Sequence, residues 1–223
     1  MNLRFHGINK EFDCANSYYI NSLVIENPKM LFSLLSDVVA QLQGNEGKTV
    51  ISDNNKVLDI EKYLELHSCF VPFNINQKNL INKIVARMND RALDSEHYLC
   101  SSELLSGLER YCMELCIDLV GNIAFTKLSM ESVVKAAGPE IIDDYILLSE
   151  KLIDYFELVK EYDRNKIFVL LNLRSFLSFE ELESFTQEVL KRQFQVLLLD
   201  SKEYPILKNE KRYLVDDSLC EIC

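Results

Sequence analysis

The sequence predicts an α/β protein carrying an inserted helical segment, on three observations. Apolar runs of strand length, Leu23-Val24-Ile25, Ile167–Leu171 and Val196–Leu199, lie towards the two ends of the chain. Continuous runs of this kind suit parallel strands covered on both faces. Between 77 and 164 the apolar residues recur at helical spacing instead. Residues 1–76 and 165–223 are therefore expected to form one α/β domain, with 77–164 as a helical domain inserted into it.

The first third reads as short strands around one helix. Asn2–Phe5, Tyr18–Ile20 and Thr49–Ile51 are strand-like, as is Leu23–Ile25. Asn27 offers an N-cap and Pro28 occupies the favoured first helical position. Leu31, Leu34, Leu35, Val38, Val39 and Leu42 follow at helical spacing, and Gly44 closes the helix. The segment Asp59–Phe73 is apolar and ambiguous.

In the middle third, Gln77–Arg91 is expected to bury Leu80, Ile81, Ile84, Val85 and Met88. A second helix, His97–Val120, carries a stripe of Leu104, Leu105, Leu108, Tyr111, Cys112, Leu115 and Leu119. Met130–Ala137 is a short helix closed by Gly138-Pro139. In Ile142–Tyr162 the apolar residues spread around more than one side, so two packing surfaces are expected, one of them inside the chain or against another subunit. The last third returns to α/β, with Ile167–Leu171 and Val196–Leu199 as central strands and Tyr213–Val215 as an edge strand. Between the central strands Ser178 caps a helix, Phe179–Arg192, that is rich in Glu in its first half.

The 223 residues are 48% hydrophobic and 26% charged, an ordinary globular balance. No apolar stretch approaches the ~18 residues of a membrane helix. The start, Met1–Gly7, does not read as a signal peptide. The seven cysteines are odd in number and irregular in spacing, so reduced thiols in a cytoplasm are expected. The net charge of −11 opposes phosphate binding by the molecule as a whole but not by a local basic surface.

The first strand–loop–helix has the shape of a phosphate-binding loop without its chemistry. Such a loop needs glycines for close backbone approach and a Lys for the phosphates. Glu26-Asn27-Pro28-Lys29-Met30-Leu31 has no Gly and no Lys-Ser/Thr pair. The strand Ile167–Leu171 ends in neutral Asn172, where a magnesium-holding enzyme needs an acid. No nuclease carboxylate cluster or catalytic triad is visible either. The expectation is a protein that is not an enzyme.

The segment Asn74–Arg91 is the most informative. It holds Lys78, Lys83, Arg87 and Arg91 against one acid, Asp90. Lys83, Arg87 and Arg91 recur every four residues and share a helical face. Asn79, Asn82 and Asn89 add neutral donors of the kind phosphate contacts use. Read alone, the row is a solvated helix face or a nucleic-acid contact. Lys127 and Lys135 lie in a second acid-poor stretch. His97, Cys100, Cys112 and Cys116 could supply zinc ligands, although core cysteines on an apolar stripe explain the last two more simply. Cys220 and Cys223 form a lone Cys-x-x-Cys. Asp143 and Asp144 are expected to cap the helix beginning near Ile142.

The order of these elements resembles the small spacer-acquisition protein of type II-A CRISPR systems. The resemblance rests on Ser22-Leu23-Val24-Ile25-Glu26, Ile84–Asp90, Val134–Gly138, Lys166–Asn172 and Gln195–Asp200. It implies an α/β head with a mostly parallel sheet, a degenerate relative of P-loop nucleotide-hydrolysing domains, and a helical leg. It also implies a non-catalytic homotetrameric ring whose basic hole takes the end of a DNA duplex without reading sequence. The partners implied are the integrase pair and the RNA-guided effector nuclease. On this reading Lys78, Lys83, Arg87, Arg91, Lys127 and Lys135 are the candidate DNA-binding residues. The family binds calcium in a dense acidic cluster between the second leg helix and the next. Here that stretch is Asn122–Lys127, with Asp118 and Glu131 as remnants. No cofactor is expected to be required, with Lys127 and Phe125 partly replacing the ion. A divergent nucleotide-binding protein and a scaffold that binds no DNA are the alternatives.

Overall fold

The computed structural model describes residues 1–125 and 127–222. Thr126, and Cys223 of the C-terminal Cys-x-x-Cys, lie outside the described residues. The chain forms two compact units, Met1–Phe73 with Asp144–Cys223, and Asn74–Asp143.

The first unit opens with strands β1 (Asn2–Arg4), β2 (Glu11–Asp13) and β3 (Ile20–Ile25), then helix α1 (Pro28–Leu42). Strands β4 (Val50–Asp53) and β5 (Lys56–Leu58) follow, then the single turn α2 (Ile60–Tyr63) and β6 (Leu64–His67). The second unit holds α3 (Lys78–Ala92), α4 (Tyr98–Glu114) and α5 (Met130–Ala137). The chain returns to the first unit through α6 (Leu148–Tyr162), β7 (Ile167–Leu171), α7 (Phe179–Lys191), β8 (Gln195–Asp200), β9 (Glu210–Val215) and β10 (Glu221–Ile222).

Two sheets result. The larger runs β10-β9-β3-β8-β7-β6, parallel except for β10. The smaller, β2-β1-β4-β5, is antiparallel throughout. The mixed α/β class is therefore as expected. β9, however, is flanked by β3 and β10 and is not the edge strand that Tyr213–Val215 suggested. Tyr18 and Tyr19 precede β3, and the strand signal beginning there continues through Ile25 as one strand. The β4–β5 hairpin turns through Asn54 and Asn55, both at positive φ, as a two-residue hairpin loop requires.

One core joins Leu3, Phe12 and Ile51 of the small sheet, Leu34 and Val38 of α1, and Leu23, Val169 and Leu197 of the large sheet. A second, aromatic core lies under α6. Phe156 stacks on Phe168 of β7 at 4.0 Å and meets Phe185 of α7 and Phe194. This face of α6 thus packs within the chain, while Ile146 ahead of it is exposed. α6 begins at Leu148, six residues later than expected, so Asp143 and Asp144 do not cap it. The preceding backbone is held instead by Asn76, whose Oδ1 accepts from the Ile141 N–H (2.7 Å) and whose Nδ2 donates to the Ile141 carbonyl (2.9 Å). The units divide at 73/74 and 143/144, so α6 belongs with the sheets, whereas periodicity grouped it with 77–164.

In the second unit α3 packs against α5, burying Val85 and Val134. Gly138 closes α5 in the left-handed conformation, with φ +63°. Met88 is exposed, not buried. α4 stops at Glu114, short of the expected Val120. Bonds from Cys116, Ile117 and Leu119 back to the third residue before each tighten the chain there into turns. Leu104, Tyr111, Leu115 and Leu119 are exposed. Their stripe marks a shared face, but this unit does not cover it.

A buried ion network ties the large sheet together. Arg174, in the 3-10 turn after β7, reaches Asp200 of β8 and Glu210 of β9, each at 2.8 Å. Arg212 adds a 3.0 Å contact to Glu210. The side chains of Arg174, Asp200 and Glu210 are all 3% exposed or less. At edge strand β6, Glu65 accepts from the Tyr155 hydroxyl (2.7 Å) and the Lys166 ammonium (2.8 Å), with His67 Nε2 at 3.3 Å. Burial opposes the charge on Glu65. The His67 and Lys166 contacts and the Tyr155 hydroxyl outweigh it and hold the carboxyl at about 2.

Two outcomes follow. Arg174→Met should cost about 3–5 kcal/mol in chemical denaturation, because it leaves buried carboxylates short of a partner. Glu65, with a folded pKa below its ordinary 4.5, stabilises the fold fully above that pH. That contribution should fade as the pH falls from about 4.5 towards about 2, and the loss in this window should be smaller in Glu65→Gln when unfolding is followed against pH.

Candidate nucleic-acid interface

Lys83, Arg87 and Arg91 are exposed along α3. Eight residues separate the first from the last, on the order of 12 Å of helix. A duplex carries about seven phosphate charges over that length. Arg91 sits in the last turn, where a cation also favours the helix dipole. Lys78 is the first residue of α3, where a cation opposes the dipole, and no acid occupies that turn. Its presence there is not explained by helix stability.

Lys135 lies on α5, the helix packed against α3, and is held by Glu131 one turn away at 2.5 Å. The two line a crevice of about 260 Å³ with Asn82, Asn89 and Asp90 of α3. Lys127 is exposed and lines a cavity of about 610 Å³ together with Cys112, Met113, Cys116 and Phe125. The structure therefore places four of the six predicted cations on one helix, a fifth on the helix packed against it, and the sixth on the loop before that helix.

The ligand sets named from sequence do not assemble among the described residues. Asp118 and Glu131 gather no third acid, and His97, Cys100, Cys112 and Cys116 form no cluster. Cys100 is exposed, and Cys112 and Cys116 are half-buried, not core thiols. Asp94, Glu96 and His97 do lie close together. Asp94 there accepts from the backbone N–H of Glu96 (3.0 Å) and of His97 (2.9 Å), and from the His97 ring at 2.9 Å. This is a turn ahead of α4 that sequence periodicity does not signal.

In the first unit, the β3–α1 connection is only Glu26-Asn27. Asn27 Oδ1 accepts from the backbone N–H of Lys29 (3.1 Å) and Met30 (3.0 Å). Its Nδ2 donates to the Asp217 carbonyl at 3.0 Å. The amide dipoles that would face a phosphate at this helix end are thus turned onto a side chain of the protein. Asn172 sits at φ +55°, and its Oδ1 accepts from the Ser201 N–H (2.8 Å) and hydroxyl (2.9 Å). It braces the turn after β8. His67 packs among the rings of Phe73, Tyr155 and Phe168, a core position.

No helix among the described residues is long and apolar enough to cross a membrane. The model of the family described as CRISPR-associated protein (Cas_Csn2) matches residues 41–219. The fold is similar to that in the crystal structure of Stu0660 of Streptococcus thermophilus, with a TM-score of 0.55. That similarity covers 91% of this chain and 69% of the other at 12% identity, and is one of fold alone. Comparison with curated proteins finds no match.

Proposed function

We propose that this chain, which belongs to the Cas_Csn2 family of CRISPR-associated proteins, binds double-stranded DNA ends without reading sequence and performs no catalysis. The exposed row Lys83, Arg87 and Arg91 carries the reading, since it stands on a chain of net charge −11. Phosphate contacts need cations and neutral donors and carry no sequence information, and α3 supplies both. Asn27 on the α1 N-terminus and Asn172 after β7 supply bracing in place of nucleotide chemistry, which supports a non-enzymatic role.

In this reading the protein acts in the cytoplasm during spacer acquisition in a type II-A system. Four copies form a ring, with the sheet-bearing head as a rigid degenerate P-loop platform and the helical leg lining the hole. The integrase pair and the RNA-guided effector nuclease are the protein partners. Calcium is dispensable, because the stretch before α5 carries Phe125 and Lys127 in place of carboxylates.

Mobility shifts on two unrelated linear duplexes across rising salt test the DNA reading. Lys83→Glu with Arg87→Glu should weaken binding by about tenfold or more, equally on both sequences, and flatten the salt dependence. Equal affinity of the variant and parent would remove α3 from the interface. A calcium titration by calorimetry should show no tight site, and the assembly mass should not change on adding a chelator.

A further inference from the structure

A groove of about 580 Å³ runs between α6 and α7 in the first unit. Its floor is apolar, built from Leu147, Ile153 and Phe185. Glu150 and Asp154 wall it from α6, one helical turn apart, and Glu180, Glu181 and Glu188 wall it from α7. Arg192 closes one end and is already held by Glu188 at 3.2 Å and Glu157 at 3.3 Å. Lys191 also holds Glu188, at 2.9 Å, Glu181 accepts from the Ser178 N–H and Asp154 from the Tyr145 hydroxyl, which leaves Glu150 and Glu180 as the rim acids available to a cation among the described residues. From Glu180 to Arg192 the groove follows about 18 Å of α7, the length of roughly three helical turns. Beside it Ile146 is 95% exposed and Phe179 is also exposed.

We propose that this groove docks a cationic amphipathic segment of a partner protein, a row of Lys or Arg side chains beside an apolar row. Acids one turn apart on a helix repel one another, and a cation between the two walls relieves that repulsion. The apolar floor gives no advantage to a fully hydrated polycation, so the occupant needs apolar side chains as well. The carboxylates are spread along two helices and are not gathered into a metal-ligand set among the described residues. Nucleic acid and anionic lipid carry the same sign of charge as the walls and are repelled. The groove and the basic row on α3 share no residue, so the two can be tested apart.

The probe is a fluorescently labelled helical peptide of alternating Leu and Lys rows, with binding to the full chain followed by anisotropy. Glu150 and Glu180 stand at the exposed rim, so Glu150→Gln with Glu180→Gln should keep the fold and weaken binding by about tenfold. Glu103→Gln with Glu114→Gln, at exposed acids on α4, should leave it unchanged. A peptide with Ser in place of Leu should bind at least about tenfold more weakly. Equal weakening by the two double variants would show general attraction to an acidic protein and overturn the proposal. So would equal binding of the Ser peptide, or no binding of the Leu–Lys peptide at all. Retained DNA binding in the Glu150→Gln, Glu180→Gln variant is the expected companion result.

Discussion

Arg174 is the point on which the large sheet depends. It leaves the chain just after β7 and holds carboxylates from β8 and β9, which lie on either side of β3. Three strands, β7, β8 and β9, are thereby linked by one guanidinium. Two buried acids near each other repel strongly unless a cation lies between them, and a planar fork can meet both at once. The same sheet carries its apolar residues in continuous runs, so hydrophobic burial alone would allow a strand to slip along its neighbour. The charged contacts do not allow it. Strand order and register in turn place α1, α6 and α7, and so the surfaces between them.

That rigid sheet ends, at β3, in a turn that has spent its electrostatics internally. A helix N-terminus attracts anions because its first N–H groups lack partners. Asn27 supplies the partner and Asp217 holds Asn27 in place. Asn172 does comparable work beside β8. Both are ordinary capping and bracing interactions. These contacts fix the ends of β3 and β8 to the turns that follow them.

The surfaces differ in sign. On α3 of the second unit the cations are exposed and spaced by single turns, whereas the α6–α7 groove of the first unit is walled by acids over an apolar floor. An acidic chain with a concentrated basic row still presents a local attraction for phosphate. The acidic groove has the complementary preference. The two signs are thus carried on different helices, α3 for the cations and α6 with α7 for the acids.

Much of this was legible from residue order. Alternation and apolar runs identify the principal strands, because a buried strand has no polar face to show. Asn27-Pro28, Ser178 with Glu181, and Gly138 mark helix ends through local hydrogen bonds and backbone freedom that need no distant partner. The row Lys83, Arg87 and Arg91 follows from helical geometry alone. Other features required the folded chain. The backbone at Ile141, which periodicity placed at the edge of a helix, is held by Asn76, 65 residues earlier. The exposure of the α4 stripe depends on what packs beside it, and periodicity reports only that residues share a face. Arg174, Asp200 and Glu210 are unremarkable in sequence, since burial converts them into a network only when β7, β8 and β9 come together. The acidic groove likewise takes its walls from two helices separated in the chain by β7. Local hydrogen bonding and side-chain periodicity were written in the sequence; the pairing of distant charges and the covering of faces came only with tertiary structure, because both depend on residues far apart along the chain.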